Sequence, residues 1–426
     1  MNAFLEKMRL VFADTTLRKR VLITLGILAA FRLLAAIPVP GIDTAELHAF
    51  FANNQLLGLL NIFTGGSLSQ LSLVMLGVGP YITSTIIMQL ATLLSPRLKA
   101  MYQEEGEYGR KKFGQYSRML TVPLAIIQGW SFLILLQNQG VISSLTAFET
   151  IRNLSLITAG SVFLVWLGER ISEFGVGNGA SLIIFAGIVS RLPTSASQTL
   201  YSFDPSQIPV YLALIIGILV VTYAVVVITE AERPIPVTYA KRVRGNKIYG
   251  GVSTYIPLRL NQSGVIPIIF ALSILVFPQI IFQFIAKRFA SSVLLAGISQ
   301  WVLAATNPNG WIYAALYFIF VFAFTYFYTA VTFDPNQMSE NLQKNGAFIP
   351  GVRPGQSTAI YVSKILTRLT AFGALFLGVI AILPLIVRAF SGIASFTIGG
   401  TALLIVVSVV IDLIKKTEAQ LSMREY

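Results

Sequence analysis

Few residues in this chain could carry covalent chemistry, and none is spaced for it. The 426-residue sequence has one histidine, His48, and no cysteine. A histidine metal cluster, a thiolate site and a Ser/His/Asp relay are therefore excluded, and redox compartment leaves no trace. Gly346 to Gly351, GAFIPG, has the glycine spacing of a phosphate loop. It continues as Val352-Arg353 instead of Lys-Ser/Thr, with no strand-to-helix context. Gly175 to Gly179, GVGNG, is a second weak glycine motif and reads better as a tight cytoplasmic hairpin between two short apolar runs. No cofactor is expected. The chain hydrolyses no ATP, so any work done through it must come from a partner or a gradient.

The charged residues point the same way. Those within or next to apolar runs are Arg32, Glu169, Arg170, Arg191, Glu230 and Asp412. All but Arg32 cluster toward the run ends, and Arg32 is close enough to an end to snorkel. An ion-coupled transporter keeps ionisable groups near mid-membrane. Here that zone holds aliphatic side chains, which suit a passive apolar conduit or a scaffold.

The elements that must position those side chains are membrane helices. Hydrophobic residues make up 55% of the chain and charged residues 12%, where a soluble protein carries about a quarter charged residues. Ten apolar runs are long enough, or nearly so, to cross a hydrocarbon core of about 30 Å: 21–37, 73–94, 119–136, 154–168, 180–192, 208–228, 264–285, 311–333, 366–387 and 396–414. They lack the period-two alternation of a membrane barrel. An eleventh candidate, 293–305, has 13 residues and is expected to be an interfacial helix.

Charge orders these runs. With ten spans and a cytoplasmic N-terminus, only Arg152, Arg191, Lys287, Arg288 and Arg388 fall outside and Arg32 within a span, leaving 25 of the 31 Lys and Arg inside. Counting 293–305 as a span gives 19 against 11. The positive-inside rule selects ten. The first run carries Arg32 and lacks a cleavage site, so it is not a removable signal. The net charge of +13 thus lies mostly on the cytoplasmic face. Topology and anionic lipid explain it, or it forms a docking surface for an acidic or nucleic-acid partner.

Two cytoplasmic loops exceed mere connections. The first, 230–262, has alternating β-branched and aromatic residues around RGNK and predicts a basic β-hairpin turning near Gly245-Asn246. The second, 334–363, contains NGAFIPGVRPGQ, whose glycines and prolines predict a projecting tip that presents Arg353.

The second run is broken. In GGSLSQLSLVMLGVGPYITSTIIMQL, Pro80 fits the first turn of a helix, and from there to Leu94 spans about 22 Å, too short to cross. The polar, glycine-rich half before it must be shielded by protein or a water-filled cavity. It is expected to be a short re-entrant helical piece over 61–77, the alternative being an ordinary kinked span packed by small residues. Val78 and Ile82 then share a face near the break, and a collar of Val and Ile there would close by dewetting, without chemical preference.

At these residues the sequence closely resembles the SecY family of channel subunits of the bacterial Sec protein translocase. The likeness rests on that stretch and on EGEYGRKKFGQYSR, WLGERISEFGVGNGASLIIFAGI, TYAKR, GVIPIIF, GAFIPGVRPG and GGTALLIVV, in order over nearly the whole chain. It implies an all-α fold of ten membrane helices in two inverted, pseudo-symmetric five-helix halves, with a lateral gate between the second and seventh spans. The implied divisions are a cytoplasmic segment 1–20, halves 21–192 and 193–414, and a tail 415–426, with both termini in the cytoplasm of a bacterial plasma membrane. It implies a re-entrant plug helix over about 61–74, centred on Thr64, Gly65, Gly66, Ser67, Leu68, Ser69, Gln70, Leu71 and Ser72. The pore ring carries over to Val78, Ile82, Ala180, Ile184, Ile269 and Ile405, with Ala180 smaller than the family's aliphatic there. Ser84, Gln89 and Phe277 match the gate seam where signal sequences exit. Implied partners are SecE-like and SecG-like subunits, the SecA motor ATPase, ribosomes contacted through their RNA, nascent polypeptides and membrane lipids. Lys241, Arg242, Arg244 and Lys247 match the basic docking region and Arg353 a motor-coupling arginine. The expected function is a non-enzymatic channel that translocates unfolded polypeptide and releases membrane segments sideways. A secondary transporter with a broken second helix, or a scaffold without a conduit, are the alternatives.

Overall fold

The computed structural model describes residues 13–40, 61, 64, 66–138, 140–142, 145–194, 197, 208–239, 242–244, 247–249, 253–288, 292–307, 310–391 and 400–422. Each of the ten apolar runs overlaps a helix among the described residues: α1 (Thr15–Ala35), α2 (Gly79–Leu94), α4 (Gly106–Asn138), α5 (Ala147–Phe174), α6 (Gly179–Val189), α7 (Ile208–Glu230), α8 (Ile266–Arg288), α10 (Trp311–Thr332), α12 (Gln356–Ser391) and α13 (Gly400–Ser422). Three shorter helices join them: α3 (Pro96–Gln103), α9 (Val293–Ala305) and α11 (Pro335–Lys344). Among the described residues, five helical stretches are long and apolar enough to cross a membrane by length and composition: Gly106–Gln137, Ala147–Phe174, Tyr211–Glu230, Trp311–Lys344 and Gln356–Val387.

Local chemistry sets the boundaries. The Asp14 carboxylate accepts from the Thr16 N–H at 2.8 Å and caps α1. Thr146 and Glu149 form a reciprocal capping box at α5, satisfying donors a helix start leaves open. Pro80 and Pro96 occupy the first turns of α2 and α3, where a missing N–H is harmless.

Packing falls into two groups. In one, α2 lies on α4, α4 on α5, and α5 on both α6 and α1. In the other, α8 packs on α9 and α10, α10 on α12, α12 on α11 and α13, and α7 on α13. The groups meet firmly where α6 touches α13 and only lightly where α8 touches α2 and α4. One apolar cluster joins α1, α5, α6 and α13 through Phe31, Leu164, Ile184 and Ile405. Another joins α7, α8, α10, α12 and α13 through Val225, Leu272, Tyr317, Leu377 and Leu404.

The all-α expectation needs an amendment, because five short strands form: β1 (Glu232–Tyr239), β2 (Arg242–Arg244), β3 (Lys247–Tyr249), β4 (Ser253–Arg259) and β5 (Ala347–Phe348). The β2–β3 pairing of Arg244 with Lys247 leaves between them Gly245 and Asn246, which lie outside the described residues, as the expected hairpin requires. Around it β1 pairs antiparallel with β4 from Glu232↔Arg259 to Thr238↔Ser253. β5, from the second long loop, adds to the other edge of β1 through Thr238↔Phe348. Ile235, Val237, Leu258, Ala347 and Ile349 bury a small core between this sheet and α12. The two loops therefore fold as one unit.

Candidate functional site

Four of the six ring residues gather in one place. Val78, Ile184 and Ile405 are buried in the same cluster, and Ile82 packs against it. They come from the start of α2, from α6 and from α13, so three separate helices meet there. Ala180 and Ile269 are half-buried and stand outside that cluster. Ile269 is one residue from Ile268, which belongs to the second core.

The segment before α2 departs from the expected helix. Residues 66–71 and 73–78 are consecutive turns, with Ser72 in an isolated bridge to Pro38. The physical reason is visible in the backbone and the serines. Gly66 and Gly77 take φ of +89° and +58°, and Leu71 takes +40°, conformations that stop a right-handed helix. Ser67 Oγ lies at 2.7 Å from the Thr64 carbonyl and 3.1 Å from that of Val74, drawing the backbone away from helical pairing. The Val39 N–H donates to the Leu71 carbonyl at 2.8 Å, and the Leu73 N–H to that of Ile37 at 3.0 Å. The polar residues thus satisfy an irregular backbone enclosed by protein, which is what the bilayer interior demands. Ser67, Leu68, Ser69, Leu71 and Ser72 are buried, while Gln70 is exposed. Gly65 lies outside the described residues.

Ser84 and Gln89 are both buried on α2. Ser84 Oγ–H donates to the Ser117 carbonyl of α4, so it fastens α2 to α4 on its own side of the light α2–α8 contact. Gln89 Oε1 has no hydrogen-bond partner among the described residues. Phe277 lies on α8, and its side chain is outside the described residues.

In the cytoplasmic unit, Arg242, Arg244 and Lys247 stand on the paired strands β2 and β3, their side chains outside the described residues, as is all of Lys241. Arg353 is exposed at a turn. Its carbonyl accepts from Thr358 Oγ at 2.9 Å and the Val352 N–H donates to Ile349 at 3.0 Å, so the backbone is held while the guanidinium faces solvent. No salt bridge to it occurs among the described residues.

One functional contact escaped the sequence reading. Arg191, assigned to the outer loop after α6, turns inward: its Nη2–H donates to Ser69 Oγ at 2.9 Å. Its position at the end of an apolar run, as a lone cation beside a small polar segment, was the available signal.

The chain is similar to known proteins in sequence and in fold. The SecY family model matches residues 72–414. A protein translocase subunit SecY from Mycobacterium bovis is 38% identical over 447 residues, covering 100% of this chain and 99% of its own. A solved SecY structure, in which the plug domain stabilises the closed state of the translocation channel and maintains a membrane seal, superposes with a TM-score of 0.64 at 22% identity, covering 96% of this chain and 93% of that one. Sec61 in a canine ribosome–channel complex from the endoplasmic reticulum gives 0.62 at 20% identity, over 96% and 93%.

Proposed function

The chain belongs to the SecY family, and on that premise we propose how its parts divide the work of a protein-conducting channel. It is a multi-pass membrane protein that serves as a subunit of the protein translocase, and it is not an enzyme. In our reading α1, α2, α4 to α8, α10, α12 and α13 are the ten spans, both termini face the cytoplasm of a bacterial plasma membrane, and two inverted halves, 21–192 and 193–414, hinge where α6 meets α13. The light contact of α8 with α2 and α4 supports a lateral gate on the opposite side, with Ser84, Gln89 and Phe277 along its seam.

The observation that carries the conduit is the shared burial of Val78, Ile184 and Ile405, with Ile82 against them, in a cluster that includes Val74, whose carbonyl accepts from the Ser67 hydroxyl of the turn segment. The aliphatic collar, completed by Ala180 and Ile269 when the halves part, excludes water by dewetting and passes varied side chains without binding them. The segment from Thr64 to Ser72 is the plug that seals it. The cytoplasmic sheet and the Arg353 tip dock the ribosome and the SecA motor, with SecE-like and SecG-like subunits and lipid around the helices. Signal sequences exit sideways at the seam, and nascent chains pass through the collar. The test is conductance in planar bilayers: Ile184→Asn should raise resting ion leak well above the parent, and an unchanged leak would remove Ile184 from the conduit.

A further inference from the structure

The contact of Arg191 with the turn segment has features of a fastening. Arg191 follows the Ser190 cap of α6, its N–H donating to the Ile188 carbonyl at 3.1 Å. Its guanidinium lies across Gly66 so closely that a Cβ there would come within 2.6 Å of Nε and 2.8 Å of Nη2. The Nη2–H donates to Ser69 Oγ at 2.9 Å, and Ser69 Oγ–H donates in turn to the Gly66 carbonyl at 3.0 Å. The Ser69 N–H donates to Asn61 Oδ1 at 2.9 Å. One side chain just past the end of α6 therefore grips a self-bonded knot of Asn61, Gly66 and Ser69. Gly66 is required twice: for the +89° φ and for the room the guanidinium occupies.

Ile184 lies on the helix that Arg191 follows. Ile184 and Arg191 are seven positions apart in sequence, with Arg191 just past the Ser190 cap that ends α6. Ile184 is buried among Val74 and Val78, the residues through which the knot continues into α2. A displacement of α6 that withdraws Ile184 from the collar must also withdraw Arg191 from Ser69.

We propose that Arg191 is the latch of the closed channel, coupling collar to plug: it holds the knot of Asn61, Gly66 and Ser69 in place while α6 is seated, and a chain that wedges Ile184 aside releases the knot in the same movement. The guanidinium is half-buried and near a run end, so on release it regains water readily, which keeps the latch reversible. The proposal rests on the collar-and-plug reading above.

The test measures resting ion leak of the purified channel, with its partner subunits, in planar bilayers. Arg191→Ala and Ser69→Ala should each raise leak on the order of tenfold, as loss of one hydrogen bond to a charged group implies. The double variant should leak no more than Ser69→Ala alone, because Ser69→Ala already removes the Arg191 bond together with the Ser69–Gly66 bond. Arg191→Lys should fall between, since a point charge replaces the planar fork. Deleting residues 64–70 sets the upper limit. If the deletion leaks while Arg191→Ala and Ser69→Ala do not, or if their effects add, the latch is wrong and the plug stands. If the deletion itself does not leak, the plug reading falls, and the latch with it. Ser69→Ala removes a single oxygen that serves both the Arg191 bond and the Gly66 bond, so Arg191→Lys, which keeps the Gly66 bond, separates the two if Arg191→Ala folds poorly.

Discussion

Gln337 and Gln103 are bonded across the two helix groups: the Gln337 Nε2–H donates to the Gln103 carbonyl at 3.1 Å. Gln103 returns the link, its own Nε2–H reaching the Val331 carbonyl at 3.3 Å. Gln103 ends α3, which continues from α2 through Ser95, and Gln337 lies on α11 beside α10. The pair ties the continuation of α2 to the helix that follows α10, and α10 packs on α8. A net hydrogen bond is worth about 1 kcal/mol, or roughly fivefold in an equilibrium. Gln337→Ala is therefore predicted to favour opening by about that factor. Export of a precursor with a weakened signal sequence into reconstituted vesicles should rise, and export at or below the parental level would show that the bond does not restrain the gate.

A second prediction concerns stability. Gly179 begins α6 with its Cα against Gly168 of α5, so that a Cβ would run into the Gly168 carbonyl oxygen. Backbone opposes backbone there, and neither can rotate away. Gly179→Ala should destabilise the α5–α6 hairpin by about 1–3 kcal/mol, the usual range for overpacking. Thermal unfolding in detergent should show a lowered midpoint. Gly217→Ala, where a Cβ meets nothing within 4 Å, is the neutral comparison.

Much of this architecture is legible from one dimension of sequence. The ten apolar runs overlap ten helices among the described residues because hydropathy reports directly on helices that bury their backbone bonds. The GVGNG hairpin forms as expected, with Asn178 Oδ1 accepting from the Ser181 N–H at 3.2 Å to cap α6. The hairpin around Gly245-Asn246 and the held tip at Arg353 follow from turn chemistry. What escaped depends on distant pairing. Residues 66–71 and 73–78 are turns because Ser67 and the 37–39 segment compete for their backbone, and no local pattern announces Ile37 as the partner of Leu73. Arg191 counts equally well as an outer-face charge until Ser69 is seen beside it. β5 joins β1 from a loop about a hundred residues away, an edge pairing too short for any propensity to signal.

Orientation is tested by labelling. Phe148 is 74% exposed at the start of α5, and Ser253 is exposed on β4. The native chain has no cysteine, so single cysteines report cleanly. Phe148→Cys should react with an impermeant thiol reagent on intact cells, and Ser253→Cys only after permeabilisation. Reaction of Ser253→Cys from outside would reverse the assigned topology.

The two basic docking regions should separate. Arg353 is a single arginine on a restrained turn, suited to fork-like pairing with one carboxylate of a partner. The β2–β3 region supplies diffuse charge, suited to phosphates and sensitive to salt. Arg353→Glu should abolish motor-driven translocation while ribosome co-sedimentation stays near the parental level. Reversing Lys241, Arg242 and Arg244 together should weaken ribosome binding and flatten its salt dependence. Equal loss of both activities in Arg353→Glu would mean that the tip had merely misfolded.

The central claim is that polypeptide passes through the collar where α2, α6 and α13 meet. A photo-crosslinking residue at Ile82, in a channel holding a stalled secretory chain, measures this most directly. Leu219, 64% exposed on α7, is the outward-facing control. Strong crosslinks to the chain from position 82 and none from position 219 are predicted. Crosslinks from 219 equal to or stronger than those from 82 would contradict the account.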